Sequence, residues 1–342
     1  MLDRMTVASP YAVELSRMPV TTRVLPVAGS TTHLWEYGES GSDADTRANA
    51  GTLLVVVHGY RGDHHGLEPV IAQLNHPGYR IVAPDLPGFG VSTPLRAVHD
   101  LDGYVEWLHE FVDVVRAESP LARLVIVGHS FGSIVVAAAL AGGPGTPGTP
   151  GTPGSPNRPG IEVDDAVLIN PIAAPALKGP RGVMSRVAIG YYRLGAAAPE
   201  KLGHVILSSP VMVRVISITM AKTKNKALRR WIHDQHHRYF SAFANRTVVL
   251  DAFRASVSND VGEYAARITA PTLLIAADKD DITPLAAQHR LRDTMPDARL
   301  VVLDDVGHLI HYERPIEAAR AIEAFLQSTA GTTPAADTAV GS

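Results

Sequence analysis

Ser130 sits in Gly128-His129-Ser130-Phe131-Gly132, directly after the apolar run Leu124-Val125-Ile126-Val127. Ile134 to Leu140, which reads as a helix, follows it. A serine at a tight strand-to-helix turn is placed to act as a nucleophile, provided a base takes its proton. Such a turn strains the serine backbone. Side chains two positions either side would collide, so glycine is needed there. The turn lifts the hydroxyl clear and aims the next backbone N–H, that of Phe131, at the same point.

Two late segments offer the base and a carboxylate to orient it. The run Leu273 to Ala276 leads into Ala277-Asp278-Lys279-Asp280-Asp281-Ile282-Thr283-Pro284. The run Leu300 to Leu303 leads into Asp304-Asp305-Val306-Gly307-His308. Both groups fall on loops at the C-terminal ends of expected strands, the edge at which Ser130 lies. Asp278 and Asp281 compete with Asp280 as the acid, and His311 competes with His308 as the base.

The elements that must position these residues show a regular rhythm. Thr22 to Val27 and Thr32 to Tyr37 read as a hairpin around Ala28-Gly29-Ser30, and Glu39 to Ala50 reads as a polar loop. Short β-branched-rich runs follow at Leu53–Val57, Ile81–Ala83, Leu124–Val127, Ala166–Ile169, Leu273–Ala276 and Leu300–Leu303. Each is apolar on both faces, the pattern of strands in a parallel sheet with helices on both sides. Helical spacing marks Leu67–Leu74 and Leu101–Arg116, and Pro315–Phe325 opens on a helix-start proline. The fold class expected is α/β, with a mostly parallel sheet.

Four segments follow from this pattern. Residues 1–177 form the first part of a core, in which the Gly-Thr-Pro repeats of 142–160 make a disordered insert. Residues 178–250 break the strand rhythm and read as a helical cap. Residues 251–327 complete the core, and 328–342 form a small, polar, disordered tail.

The 342 residues are 46% hydrophobic with a net charge of −3, enough for one large α/β core and no footprint of a nucleic-acid binder. The absence of cysteine excludes disulfides, thiolate metal sites and cysteine nucleophiles. No apolar h-region opens the chain and no run approaches spanning length, so a soluble, cytoplasmic protein is expected, as monomer or homodimer.

Five motifs, in order, carry a resemblance. They are His58-Gly59-Tyr60, Asp85-Leu86-Pro87-Gly88-Phe89-Gly90-Val91-Ser92, Gly128-His129-Ser130-Phe131-Gly132, Asp280-Asp281-Ile282-Thr283-Pro284 and Gly307-His308-Leu309-Ile310-His311-Tyr312-Glu313-Arg314-Pro315. The chain resembles the α/β-hydrolase fold superfamily, in its capped esterase and epoxide-hydrolase-like group with a serine nucleophile. The resemblance implies an eight-stranded, mostly parallel sheet with a helical cap after strand 6. It implies Ser130 as nucleophile, His308 as general base and Asp280, four residues before Pro284, as the acid. It implies backbone N–H donors at Tyr60 and Phe131 for an oxyanion. His58, Gly59, Gly128, His129 and Gly132 support the site. The reaction implied is hydrolysis of a carboxylic ester, a small molecule with an apolar acyl group, through an acyl-enzyme. Neither metal nor organic cofactor is called for.

Plainer readings stand beside these. His64-His65, and His233 with His236-His237, have no carboxylate at ligand spacing and are expected exposed or packed under the cap. Pro87-Gly88-Phe89-Gly90 lacks the third glycine and the lysine of a phosphate loop. Lys222, Lys224, Lys226, Arg229 and Arg230 read as a solvated helix face, with weak contact to an anionic membrane surface or an acidic substrate as the alternative. The elbow serine disfavours dehalogenase or epoxide-hydrolase chemistry, which uses an aspartate there. Carbon–carbon bond hydrolysis, cofactor-free peroxidation and a non-catalytic binding role on the same fold rank below ester hydrolysis.

Overall fold

The computed structural model describes residues 7–74, 76–143, 159–174 and 182–330. Its strands are β1 Val20–Val27, β2 Ser30–Tyr37, β3 Thr52–Val57, β4 Tyr79–Pro84, β5 Arg123–His129, β6 Asp165–Ile169, β7 Thr272–Ala277 and β8 Ala298–Leu303. The helices are α1 Ala12–Ser16, α2 Ala44–Ala48, α3 Glu68–Ile71, α4 Leu101–Ala117, α5 Phe131–Leu140, α6 Gly182–Ala197, α7 Glu200–Leu207, α8 Pro210–Met220, α9 Lys226–Tyr239, α10 Arg246–Ser258, α11 Leu285–Thr294, α12 Ile310–Glu313 and α13 Pro315–Thr329.

The strands form one eight-stranded sheet in the order β1-β2-β4-β3-β5-β6-β7-β8. Only β2 runs against its neighbours; all pairs from β4 to β8 are parallel. Alternation along the strands divides the core in two. Leu53, Val55, Val57, Leu124 and Ile126 face α4 and α5, whereas Leu54, Val56, Val125 and Val127 face α3 and α13. The expected helical stripe Leu101, Tyr104, Val105, Leu108, Val112, Val115 is buried throughout. The sheet is therefore the mostly parallel, helix-flanked one that the short apolar runs require.

Several local expectations need correction. The β1–β2 turn is Ala28-Gly29 alone, both residues at positive φ, and Ser30 already belongs to β2. Residues 39–50 are not simply a loop. Asp43 accepts from the Thr46 N–H while the Thr46 hydroxyl accepts from the Asp43 N–H, a reciprocal cap that starts α2. β8 is an edge strand and only half-buried. α13 continues to Thr329, so the helix takes in the first residues of the expected tail. Most of the Gly-Thr-Pro insert and residues 331–342 lie outside the described residues, as does the expected start of the cap at residue 178.

Five helices, α6 to α10, lie between β6 and β7, and α10 runs across the expected boundary at residue 250. Within them, Glu200–Met220 reaches 21 residues with a mean hydropathy of 1.5 and only 22% of that window buried. The expectation that no apolar run approaches spanning length is therefore wrong by length and composition. The stretch is not one rod, because Ser208 and Ser209 separate α7 from α8, which opens on Pro210.

Away from the site, Arg80 on β4 is fully buried and donates to Glu36 of β2 and to Glu118 beyond α4, each at 2.6 Å. Arg23 also holds Glu36, at 2.7 Å. Arg80→Ala is expected to lower stability in urea unfolding by about 3 kcal/mol, the low end for breaking a buried pair because Arg23 remains on Glu36.

Candidate active site

β5 ends at His129, and Ser130 takes φ 53° and ψ −117° before α5 begins. A side chain there rarely adopts positive φ, and the surroundings hold it in place. The Ser130 N–H donates to the Ile169 carbonyl of β6 at 3.1 Å. A Cβ on Gly132 would stand 2.4 Å from the Val57 carbonyl oxygen and 2.6 Å from that of His58. A Cβ on Gly128 would stand 2.7 Å from the Gly132 oxygen. The two glycines thus let α5 leave β5 against the end of β3.

The Ser130 hydroxyl is 2.7 Å from His308 Nε2, and His308 Nδ1 is 2.8 Å from Asp280 Oδ2. With Nδ1–H donating to the carboxylate, Nε2 is left to accept the serine proton. Asp280 Oδ1 accepts from the N–H groups of Ile282 and Thr283 at 2.8 and 3.2 Å. Burial alone would raise the Asp280 carboxyl, but the His308 ring and these donors outweigh it and hold it below the usual carboxylate range. Neither rival acid reaches the imidazole. Asp278 accepts from the Val306 N–H, and Asp281 is exposed and pairs with Lys222.

Gly59 lies against the serine: a Cβ on it would stand 3.1 Å from Ser130 Cβ. Tyr60 is the next residue of that loop, and Phe131 opens α5. The Phe131 N–H, at the start of a helix, has no helical acceptor. His58 fixes the loop from beneath, through Nδ1 to the Gly59 carbonyl and through Nε2 from the Leu86 N–H, both at 2.8 Å. These partners assign the neutral tautomer, and burial holds its pKa below the ordinary histidine value. Asp85 staples the following loop to the His64 ring and to the Val91 N–H.

Two further residues at this edge escaped the sequence reading. Asn170, at φ 45° after β6, donates to Asp280 Oδ2 at 3.1 Å and to the Gly307 carbonyl at 3.3 Å. It thereby ties Asp280 to the loop that carries His308. The signal was available: an asparagine directly after a buried strand tolerates left-handed backbone. Arg61, at φ 60°, is buried and donates to the carbonyls of Phe240 and Leu207 and to the Tyr192 hydroxyl at 2.9, 2.8 and 3.2 Å. Its guanidinium also lies over the rings of Phe240 and Phe243. With the Tyr60 hydroxyl on the Val249 carbonyl, it ties the β3 loop to the α6–α10 insertion.

Other histidines fill the space behind the site. His129 packs 4.1 Å from His311 ring to ring, and His311 bonds no atom of Ser130 among the described residues. His233 and His236 are buried and share the Ser217 hydroxyl, each through Nδ1, at 2.6 and 2.7 Å. The expectation of no carboxylate at ligand spacing fails for His64 and His65, which Asp85 and Asp63 partner; His64 is buried against Trp35, and His65 stacks on Tyr239 of α9. Asp63, His64 and His65 bring ligand atoms within 4.8 Å of one another, yet His64 Nδ1 is already held by Asp85.

Burial, aided by His308, pushes His129 down to about 3, and burial, aided by His233, does the same to His236. Below pH 6.5 the unfolded chain binds protons that these folded residues refuse, so stability is full above that pH and falls as pH drops towards 3. Urea unfolding should lose about 2 kcal/mol per histidine between pH 7 and pH 5, and His236→Gln should remove its share of that slope.

Comparison with known proteins agrees with this architecture. Residues 48–315 match the family described as serine aminopeptidase, S33. The chain is 23% identical to Lipase 3 of Moraxella sp. (strain TA144) over 95% of its own length and 98% of that protein. It is 22% identical to the (E)-2-((N-methylformamido)methylene)succinate hydrolase of Acinetobacter baylyi, over 87% of this chain and 95% of the other. An esterase structure from Exiguobacterium antarcticum superposes with a TM-score of 0.65 at 16% identity, covering 90% of this chain and all of that one. With its elbow, its sheet order and a match across more than half its length, the chain belongs to the serine aminopeptidase S33 family of α/β-hydrolase enzymes.

Proposed function

We propose that this enzyme hydrolyses carboxylic esters through a covalent acyl intermediate on Ser130. The observation that carries the reading is the unbroken relay from the Ser130 hydroxyl through His308 to Asp280, at 2.7 and 2.8 Å. His308 Nε2 takes the hydroxyl proton as Oγ attacks the ester carbonyl. The Tyr60 and Phe131 N–H groups receive the negative oxygen of the tetrahedral intermediate. Collapse expels the alcohol, which takes the proton from His308, and the acyl group stays on Oγ. Water, deprotonated by His308, then attacks the acyl carbon, and Ser130 leaves as the free hydroxyl with the acid as product. Asp280 holds the tautomer and offsets the imidazolium charge at each transfer. The mechanism itself calls for no metal or organic cofactor.

Helices α6 to α10 act as the cap. Their bonds to Arg61 and Tyr60 and their contact with Gly307 support a position over the C-terminal edge of the sheet. Tyr192 stacks on Phe253, and Tyr60 tilts against both, where the cap meets the β3 loop, an apolar wall suited to an acyl chain. The Moraxella relative, a lipase by name, supports an ester substrate.

A fluorophosphonate probe should label the wild type at Ser130 and leave Ser130→Ala unlabelled; an unlabelled wild type would reject the reading. On a panel of p-nitrophenyl esters, Ser130→Ala should lose at least about a thousandfold in kcat. Asn170→Ala should lower kcat roughly tenfold with little change in KM, because it loosens Asp280 and Gly307 without touching substrate.

A further inference from the structure

The α7–α8 segment presents apolar side chains to the outside. Leu202 and Val205 of α7, and Val211, Val215 and Ile218 of α8, are each between 46 and 69% exposed. Their spacing, three apart on α7 and four then three on α8, puts each set on one helix face. The opposite faces are anchored, since Gly203, Leu207, Val213 and Ser217 are buried against the rest of the protein. The stripe is therefore held in place and turned outward.

Cations share it. Lys201 stands four residues before Val205. Arg214 stands three after Val211 and four before Ile218, so both belong to the exposed faces. Residues 200–230 carry seven lysines and arginines, from Lys201 to Arg230, against the single carboxylate Glu200. That is a net +6 in a chain whose total is −3. Among the described residues only Lys222 of this group is paired with a carboxylate, Asp281.

We infer that α7, α8, the basic turn after α8 and the basic start of α9 form a docking face for an anionic lipid bilayer, lying in the plane of the interface. Apolar side chains flanked by lysine and arginine on an outward helix face match the boundary between acyl chains and acidic headgroups. A soluble polyanion would use the cations and leave the apolar stripe wet. A second copy of this chain on a twofold axis would bring two +6 segments together. The break at Ser208-Ser209 and the buried inner faces rule out a spanning rod.

The face borders the candidate active site. A Cβ on Gly307, the residue before His308, would stand 2.7 Å from Lys222 Cγ and 3.2 Å from the Met220 carbonyl oxygen. Lys222 pairs with Asp281, next to Asp280. Docking would hold the His308 loop near the bilayer surface, and binding itself needs no turnover, so its test is separate from that of the ester hydrolase.

The test is flotation of the full chain with vesicles of phosphatidylcholine alone or mixed with phosphatidylglycerol, at low and high salt. The wild type should bind the mixed vesicles at low salt and bind pure phosphatidylcholine at least about tenfold more weakly. High salt should reduce binding to the mixed vesicles. Val215→Asp with Ile218→Asp should lower binding to mixed vesicles at least about tenfold, with urea unfolding and turnover of a soluble ester unchanged. Lys224→Glu with Arg230→Glu should remove most of the salt-sensitive part. No binding by the wild type, or equal binding by the Val215→Asp/Ile218→Asp variant, would overturn the inference. So would a wild-type dimer in sedimentation that this variant dissociates, since the face would then belong to a second copy.

Discussion

The structure depends on one close approach: the backbone of Gly132 against the carbonyls at the end of β3. Nothing larger than hydrogen fits between them. That contact lets α5 start directly above the sheet and holds Ser130 in a backbone conformation that its side chain alone would avoid. It also brings the β3 loop, with Gly59 and Tyr60, beside the serine. Ser130, the first N–H of α5 and the Gly59-Tyr60 loop are thus set by packing of main chain on main chain.

From that point the site is assembled by bonds between successive strand ends. The Ser130 N–H binds the end of β6, Asn170 just after β6 binds Asp280 after β7, and Asp280 binds His308 after β8. Each strand passes the geometry to its neighbour, so the sheet's register sets the relay. The loops at this edge are tied to one another by these bonds. Histidines behind them, held neutral by burial, fill space that a smaller residue would leave to water.

Much of this was legible in the chain. The buried strands announced themselves as short β-branched runs, because strands covered on both faces have no polar face to hide. Ser130, His308 and Asp280 stood out because each follows such a run at the same edge. Asp280 could be chosen over Asp278 and Asp281 only through the spacing to Pro284. Asn170 offered a signal, an asparagine directly after a buried strand, but its bonds, like those of Arg61, rest on partners more than a hundred residues away and were not legible. β8 misled because an edge strand can be as apolar in sequence as a central one. Glu200–Met220 was passed over because Lys201 and Arg214 interrupt it, although its mean hydropathy is that of a spanning segment. His64 was misjudged because Asp85, its partner, lies 21 residues away.

Arg61 has a mechanical consequence. Its guanidinium grips the end of α7, Tyr192 of α6 and the turn after α9, while its own backbone belongs to the loop beside the serine. Any movement of these parts against the loop beside Ser130 would have to break those bonds. α8 with its following turn is the stretch left outside that grip.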